Sequence, residues 1–497
     1  PSESKECAEN RDVQPKATNN MKKYLLAFAL ALPAAEGLCQ APTPAPTDDY
    51  VSARLSQLES ELAELRAAQL RTEENIAGNH YSLPMSSDLQ HGSTTATAAG
   101  QAMRAPTPPK DTYPNFKITG FTQLDNVHFT QDGNSIATLG DINDGLGFRR
   151  ARLAATGNLS KRASYMMEFD FAQGQARWVD VWGQAADTPF GNIRMGRFRQ
   201  PFGMSELTSV RELPFLERPS TFALAPFRQT GIMFFDTALD ERATWALSGF
   251  RTLSDNFGNV YGESGGYGMA ARTTGLLIDN GDCGLLHVGA DYSYLDPARN
   301  VAQIAYQNEV FVGQQPNFGP PGLSVFPLDG VPPFVQSGLM TTNQLNLYNL
   351  EAAASLGRTL LQSEVRWSSV TTPTGTAVIP AAYMHWRYML TGEVIPYSRA
   401  NGVFGRPKPL NPVNISNGCW GAWELASRAS YINLNELSSL PGVPGPGGMM
   451  SNYITGLNWY MINNAKLQFD YMYTDLNHRG FGDSNTHTLA SRFQFDF

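Results

Sequence analysis

From Phe116 to the last residue, apolar and polar positions alternate in runs separated by turn-forming residues. "SYMMEFDFAQ" sets Tyr165, Met167, Phe169 and Phe171 on one parity against Glu168 and Asp170 on the other. "LLHVGADYSYL" sets Leu286, Val288, Ala290, Tyr292 and Tyr294 against His287, Asp291 and Ser293. "LLQSEVRW" sets Leu361, Val365 and Trp367 against Gln362, Glu364 and Arg366, and "KLQFDYMYT" sets Leu467, Phe469, Tyr471 and Tyr473 against Gln468, Asp470 and Thr474. The chain closes on "TLASRFQFDF", with Leu489, Phe493, Phe495 and Phe497 on one parity and Arg492, Gln494 and Asp496 on the other. Successive side chains of a strand point to opposite faces, so each run predicts a strand with one greasy and one polar face.

A hydrophobic strand at the end of a soluble sheet would explain the last run alone. It does not explain the others, because their polar faces carry ionisable groups that the core of a sandwich would not tolerate. The runs also have about the ten residues that a tilted strand needs to cross a bilayer. An all-β transmembrane barrel accounts for both, with aromatics toward lipid and polar residues toward a wet lumen. Sixteen antiparallel strands are expected, at 116–130, 146–159, 162–173, 176–186, 190–199, 229–238, 241–252, 266–276, 283–295, 343–356, 359–370, 381–392, 419–434, 450–462, 465–474 and 486–497. An even number places both ends of the barrel on one rim, the periplasmic one.

Ahead of the barrel the pattern changes. Residues 1–20 read as an upstream extension, and 21–41 as a secretory signal peptide, with two lysines before the apolar run Tyr24 to Leu32. That run is too short to span a bilayer. A Pro-rich spacer follows at 42–49, then a helix over 50–77 with Val51, Leu55, Leu58, Leu62 and Leu65 at alternating spacings of four and three. This is a coiled-coil seam, fit for trimerisation or for reaching a cell-wall partner in the periplasm. Residues 78–114, rich in Ser, Thr, Ala and Pro, read as a flexible linker, and 115–497 as the barrel.

Composition agrees. Charged residues make up 16% of the chain and aromatics 11%, with 45 glycines. Few charges and many aromatics suit a barrel with an apolar outer surface. The net charge of −8 favours no nucleic-acid partner. Past the signal peptide only Cys283 and Cys419 remain, as a disulfide or as two unpaired thiols. "GESGG" at Gly262–Gly266 matches a nucleophile-elbow pattern, but it lies in a Gly-rich connector without the strand-to-helix turn the motif requires, so catalysis by Ser264 is not expected. No clustered Cys/His site or phosphate-cradling loop appears; His287 and His385 read as lumen-facing polar groups. No cofactor and no metal is expected.

Three connections are long: 200–228, 296–342 and 393–418, the last on the rim where turns are normally short. Long segments in a barrel fold inward and narrow the lumen. The run "MGRFRQPFGMSELTSVRELPFLERPSTFALAPFRQTGIMF" resembles the phosphate-selective porin O/P family, as do "LTGEVIPYSRANGVFGRPKPL", "GAWELASRASYINL" and "TGLNWYMINNAKLQFDYMYTDL". The resemblance covers about 115–497 and implies a trimeric outer-membrane barrel for anions such as phosphate or polyphosphate, with arginines at a loop-built constriction. It also implies that insertion machinery reads the C-terminal strand through Phe493, Phe495 and Phe497.

Anion passage asks for fixed cations along a narrow lumen, and arginine stays charged and matches oxyanions with its planar fork. Between 148 and 200 there are nine Arg or Lys against four Asp or Glu, counter to the overall sign. Arg150, Arg152 and Arg194 are nominated on strands there, Arg366 on a later strand, and Arg211, Arg218 and Arg228 on the long external loop. Glu206, Glu212 and Glu217 sit beside the loop arginines, so ion pairing that holds the loop in place is the competing role. The leading function is passive diffusion of small anions through an outer-membrane channel. The alternative is a general, non-selective porin that also tethers the outer membrane to the cell wall.

Overall fold

The computed structural model describes residues 112–172, 176–252, 257–259, 266–311, 330–478 and 482–497. The signal peptide, the spacer, the coiled-coil seam, most of the linker and Ser264 lie outside the described residues.

Sixteen antiparallel strands close into a barrel in strict sequence order. The first five are β1 Lys117–Gln131, β2 Gly145–Ser160, β3 Ala163–Asp170, β4 Arg177–Thr188 and β5 Gly191–Arg199. Next come β6 Arg228–Ala238, β7 Ala243–Arg251, β8 Tyr267–Asp279, β9 Leu285–Asp296, β10 Gln344–Leu356 and β11 Thr359–Thr372. The last five are β12 Gly375–Met389, β13 Ala422–Asn433, β14 Met449–Ile462, β15 Ala465–His478 and β16 Gly482–Asp496. Pairing of β1 with β16, from Phe121 opposite Asp496 to Gln131 opposite Thr486, shuts the sheet. Closure removes the open edges of the sheet, so the wall draws its ladder hydrogen bonds from within itself, as a bilayer demands.

Alternation has the predicted sense. Phe493, Phe495 and Phe497 are 39%, 43% and 60% exposed, while Arg492 and Gln494 are buried on the inner face. Phe497 exchanges two 3.0 Å backbone hydrogen bonds with Gly120. Its ring lies so close that a Cβ at position 120 would stand 2.6 Å from it, so glycine is required there.

Boundaries differ most from expectation at two places. The twelfth strand begins at Gly375 instead of 381, with Pro380 inside it. Proline cannot donate to a ladder, which argues against a strand interior. Here, however, pairing of β12 with β13 begins only at Ala381, so Pro380 is bonded on one side alone, opposite Trp367. The last two strands also extend to His478 and from Gly482, making a longer hairpin than the polar sequence between them suggested. Both cysteines are free thiols. A helix absent from the sequence reading, α1 Gly133–Leu139, follows β1 and is capped by Asp132, whose carboxylate accepts from the Ser135 amide at 2.6 Å.

Candidate functional site

Residues 200–227 leave the rim after β5 and enter the barrel. The sequence explains why: Phe202, Met204, Val210, Leu213, Phe215, Leu216 and Leu224 are all buried, a density of large apolar side chains unsuited to a solvent loop. Inside a polar lumen the backbone of such a segment needs partners, and the wall supplies them. Carboxylates on four different elements accept from its amides. Asp291 takes Gly203 N at 2.8 Å, Glu364 takes Ser205 N at 2.8 Å, Asp470 takes Leu216 N at 2.9 Å and Glu309 takes Ser220 N at 2.7 Å. On the carbonyl side, Lys466 Nζ reaches Leu213 O at 3.0 Å and Asn458 reaches Pro214 O at 2.8 Å.

One turn of helix, α2 Met204–Leu207, opens the segment. Its unpaired C-terminal carbonyls are gathered by two guanidiniums. Arg199 donates to Leu207 O at 2.7 Å, while Arg218 donates to Ser205 O at 2.8 Å and Thr208 O at 2.6 Å. Gly203 carries φ +76°, and a Cβ there would fall 1.8 Å from Glu206 Oε2. Close approach of the wall and a left-handed backbone both require glycine.

The seven nominated arginines separate into two groups. Arg366 meets Glu206 at 2.9 Å and Glu364 at 3.1 Å. Arg150 meets Glu217 at 2.8 Å, a carboxylate it shares with Arg149 and with Arg492. Arg152 pairs with Asp170 at 2.8 Å and Glu168 at 3.3 Å, and Arg228 pairs with Asp180 at 2.9 Å. Arg366 and Arg150 are spent on holding the segment to the wall, Arg152 and Arg228 on pairs within the wall. Burial pushes the Glu217 carboxyl up, but Arg149, Arg150 and Arg492 outweigh it and hold the group well below the usual carboxylate range.

Among the described residues, Arg218, Arg211 and Arg194 form no ion pair with a carboxylate. Arg218 is occupied as the carbonyl clamp just described, and burial together with Arg199, Arg150 and Arg228 disfavours its charged form. Arg211 lies over the Phe121 ring at 5.6 Å, toward the rim that carries the chain end, and its carbonyl accepts from Gln494 at 3.2 Å. Arg194 stacks on Trp182 at 4.2 Å and donates to Gln184 at 2.7 Å.

Other charged groups were missed. Arg272 reaches Glu351 at 2.6 Å and donates to the carbonyls of Asn401 and Gly402, tying the 393–418 segment to the wall. Arg492 chelates Asp125 at 2.6 Å, Arg387 engages Glu424, and Arg428 engages Glu309. Each sits on the inward parity of a strand that was predicted, so parity alone was the available signal. From the far rim, residues 304–310 also turn inward, burying Ile304, Tyr306 and Val310. His287 and His385 both lie on the inner face, as expected, and both are buried. Among the described residues, no group of three or more His, Cys, Asp or Glu is arranged to hold a metal ion.

The inner face is unevenly covered. On β10 to β16 nearly every inward side chain is buried; on β11, Gln362, Glu364, Arg366 and Ser368 are all 4% exposed or less. On β3 to β7 burial of the inward face is mixed: Met166, Trp182, Gln184, Arg194, Phe235 and Ala246 are half-buried, while Glu168, Asp170, Asp180, Met233, Ser248 and Phe250 are buried. The segment is therefore tied most closely to one wall and leaves the part of the other around Arg194 less covered.

A family model described as phosphate-selective porin O and P matches residues 116–497. A protein of Caulobacter vibrioides, described as uncharacterized, is 26% identical over 418 residues, covering 76% of this chain and 78% of that protein. Among solved structures, the anion-selective porin from Comamonas acidovorans is 12% identical with a TM-score of 0.45, over 77% of this chain and 99% of that one. OprB of Pseudomonas putida is 11% identical with a TM-score of 0.48, over 77% and 94%.

Proposed function

The chain belongs to the phosphate-selective porin O and P family of outer-membrane β-barrel channels, and from that premise we propose that it passes small inorganic anions by diffusion, with modest selectivity, along the β3 to β7 wall. The observation that carries this reading is the uneven coverage of the inner face. The 200–227 segment is clamped to β2 and to the β9 to β16 side, so the remaining path runs past Arg194, whose guanidinium forms no ion pair among the described residues. Arg211, over the Phe121 ring, stands toward the rim that carries the chain end and forms no ion pair among the described residues. A fixed positive charge beside a narrow path favours anions without trapping them.

Tight phosphate or polyphosphate binding would need several free guanidiniums converging on one oxyanion. Arg150, Arg152, Arg228 and Arg366 already spend theirs on carboxylates. The family's phosphate chemistry is therefore not the reading favoured here. A homotrimer and a cell-wall contact through 50–77 belong to the same proposal on sequence grounds. Deleting 50–77 is expected to abolish wall association while single-channel conductance persists.

The test is the reversal potential of purified protein in planar bilayers under a KCl gradient, repeated with phosphate. A modest chloride-selective potential without block at low phosphate supports the reading. Strong phosphate block would restore phosphate specificity, and cation selectivity would overturn the anion path.

A further inference from the structure

A second polar feature lies on the covered side, between the inward segment and the wall of β11, β12 and β13. Ser205, Gln362, Tyr383, His385, Arg387 and Arg428 line a small cavity there, closed by apolar Leu213, Pro214, Pro219 and Phe404. About 20 Å³ is open to the centre of a water-sized sphere, room for one small species. Three polar atoms of residues that line it, Ser205 Oγ, His385 Nε2 and Arg428 Nε, have no hydrogen-bond partner, although the residues are only 4%, 7% and 5% exposed. A buried polar atom left unmatched is costly, so three on one lining favour a bound species that matches them.

The surroundings say what kind. Arg428 sends its other nitrogens to the Glu217 carbonyl at 3.0 Å and to Glu309. Arg387 engages Glu424, and Tyr383 donates to Glu364 at 2.6 Å. Glu309, Glu424 and Glu364 are thus already matched, and no carboxylate lines the cavity. His385 is held between the rings of Tyr383 at 5.7 Å and Phe215 at 6.1 Å, so the imidazole does not swing away to another partner. A cation would meet two guanidiniums and no carboxylate there. A phosphate, with four oxygens, exceeds the room available.

We propose that this cavity binds one monovalent anion of halide size, held by Ser205 Oγ, His385 Nε2 and Arg428 Nε. Binding rests on the cavity alone; only its effect on permeation rests on the channel reading. The site lies on the covered side, away from the Arg194 wall, and an anion fixed there among paired charges adds negative field to the lumen.

The test is diffraction from crystals of the full chain grown in sodium bromide, with data collected at the bromine edge. An anomalous peak within hydrogen-bond reach of Ser205 Oγ and His385 Nε2 is expected, and it is lost in Ser205→Ala and in His385→Phe, which keeps the ring stack. Should His385→Phe fail to fold, the Ser205→Ala comparison decides alone. Absence of a peak in the wild type, or a water refined there without anomalous signal, overturns the site. A protein that conducts anions but shows no peak refutes the site and leaves the channel. A peak in a protein that forms no channels does the reverse.

Discussion

Strands β4 and β11 come from the same barrel and answer to the same physics, yet they look different. Along β11 half-buried and buried residues alternate without interruption over its whole length. Along β4 the alternation breaks down, with two buried neighbours at Val179 and Asp180 and a shift of register against β3. The difference is what lies inside. Behind β11 the inward side chains meet Gly203, Ser205 and Glu206 of the segment and are sealed. Behind β4, Trp182 and Gln184 meet Arg194 and stay half-buried. Charge on the sealed wall builds the constriction; charge on the open wall is what a passing ion feels.

Breaking the sealed side should have the largest effect. Arg366→Ala leaves Glu206 and Glu364 buried without a counter-charge, a change worth about 3–5 kcal/mol. Urea unfolding should show a loss of that order, and single-channel conductance should rise and become noisy as the segment loosens. Unchanged unfolding with unchanged conductance would contradict the clamp. A smaller loss is expected at the closure. Deleting Phe497 removes two ladder bonds to Gly120, about 1–3 kcal/mol together. Slower appearance of the heat-resistant folded form on refolding into vesicles would report it.

On the open wall the expectation reverses. Arg194→Gln should change stability by no more than about 0.5 kcal/mol, while the chloride preference in a salt gradient falls. A stability loss as large as that of Arg366→Ala would erase the distinction between the walls. The smallest effect concerns pH. The Glu217 carboxyl is depressed in the folded state, so its contribution is fully present above its unfolded value, about 4.3, and is lost only as pH falls through the lower folded value. Conductance should therefore hold steady between pH 8 and pH 5, and a drop in that window would mean that this latch opens.

Much of the wall could be read from period-two alternation, because a barrel strand buries one parity and exposes the other whatever its neighbours are. The start of β12 could not, since Pro380 is tolerated only because its second partner has not yet begun, a fact of register and not of local pattern. The nominated arginines show the same limit more sharply. Arg194 was nominated on its strand alone and forms no ion pair among the described residues. Arg366 was set on a polar parity, but its partner Glu206 lies 160 positions away in sequence. Whether a guanidinium is free or spent depends on such distant meetings. Glu217, close in sequence to Arg211 and Arg218, pairs instead with Arg149, Arg150 and Arg492 across the barrel.

The most direct test of the open-wall account is the reversal potential of the wild type beside Arg194→Gln, in planar bilayers under one KCl gradient. The account predicts a modest chloride-selective potential that moves toward zero in the variant, with conductance otherwise alike. Identical potentials in the two proteins, or a cation-selective wild type, would contradict it.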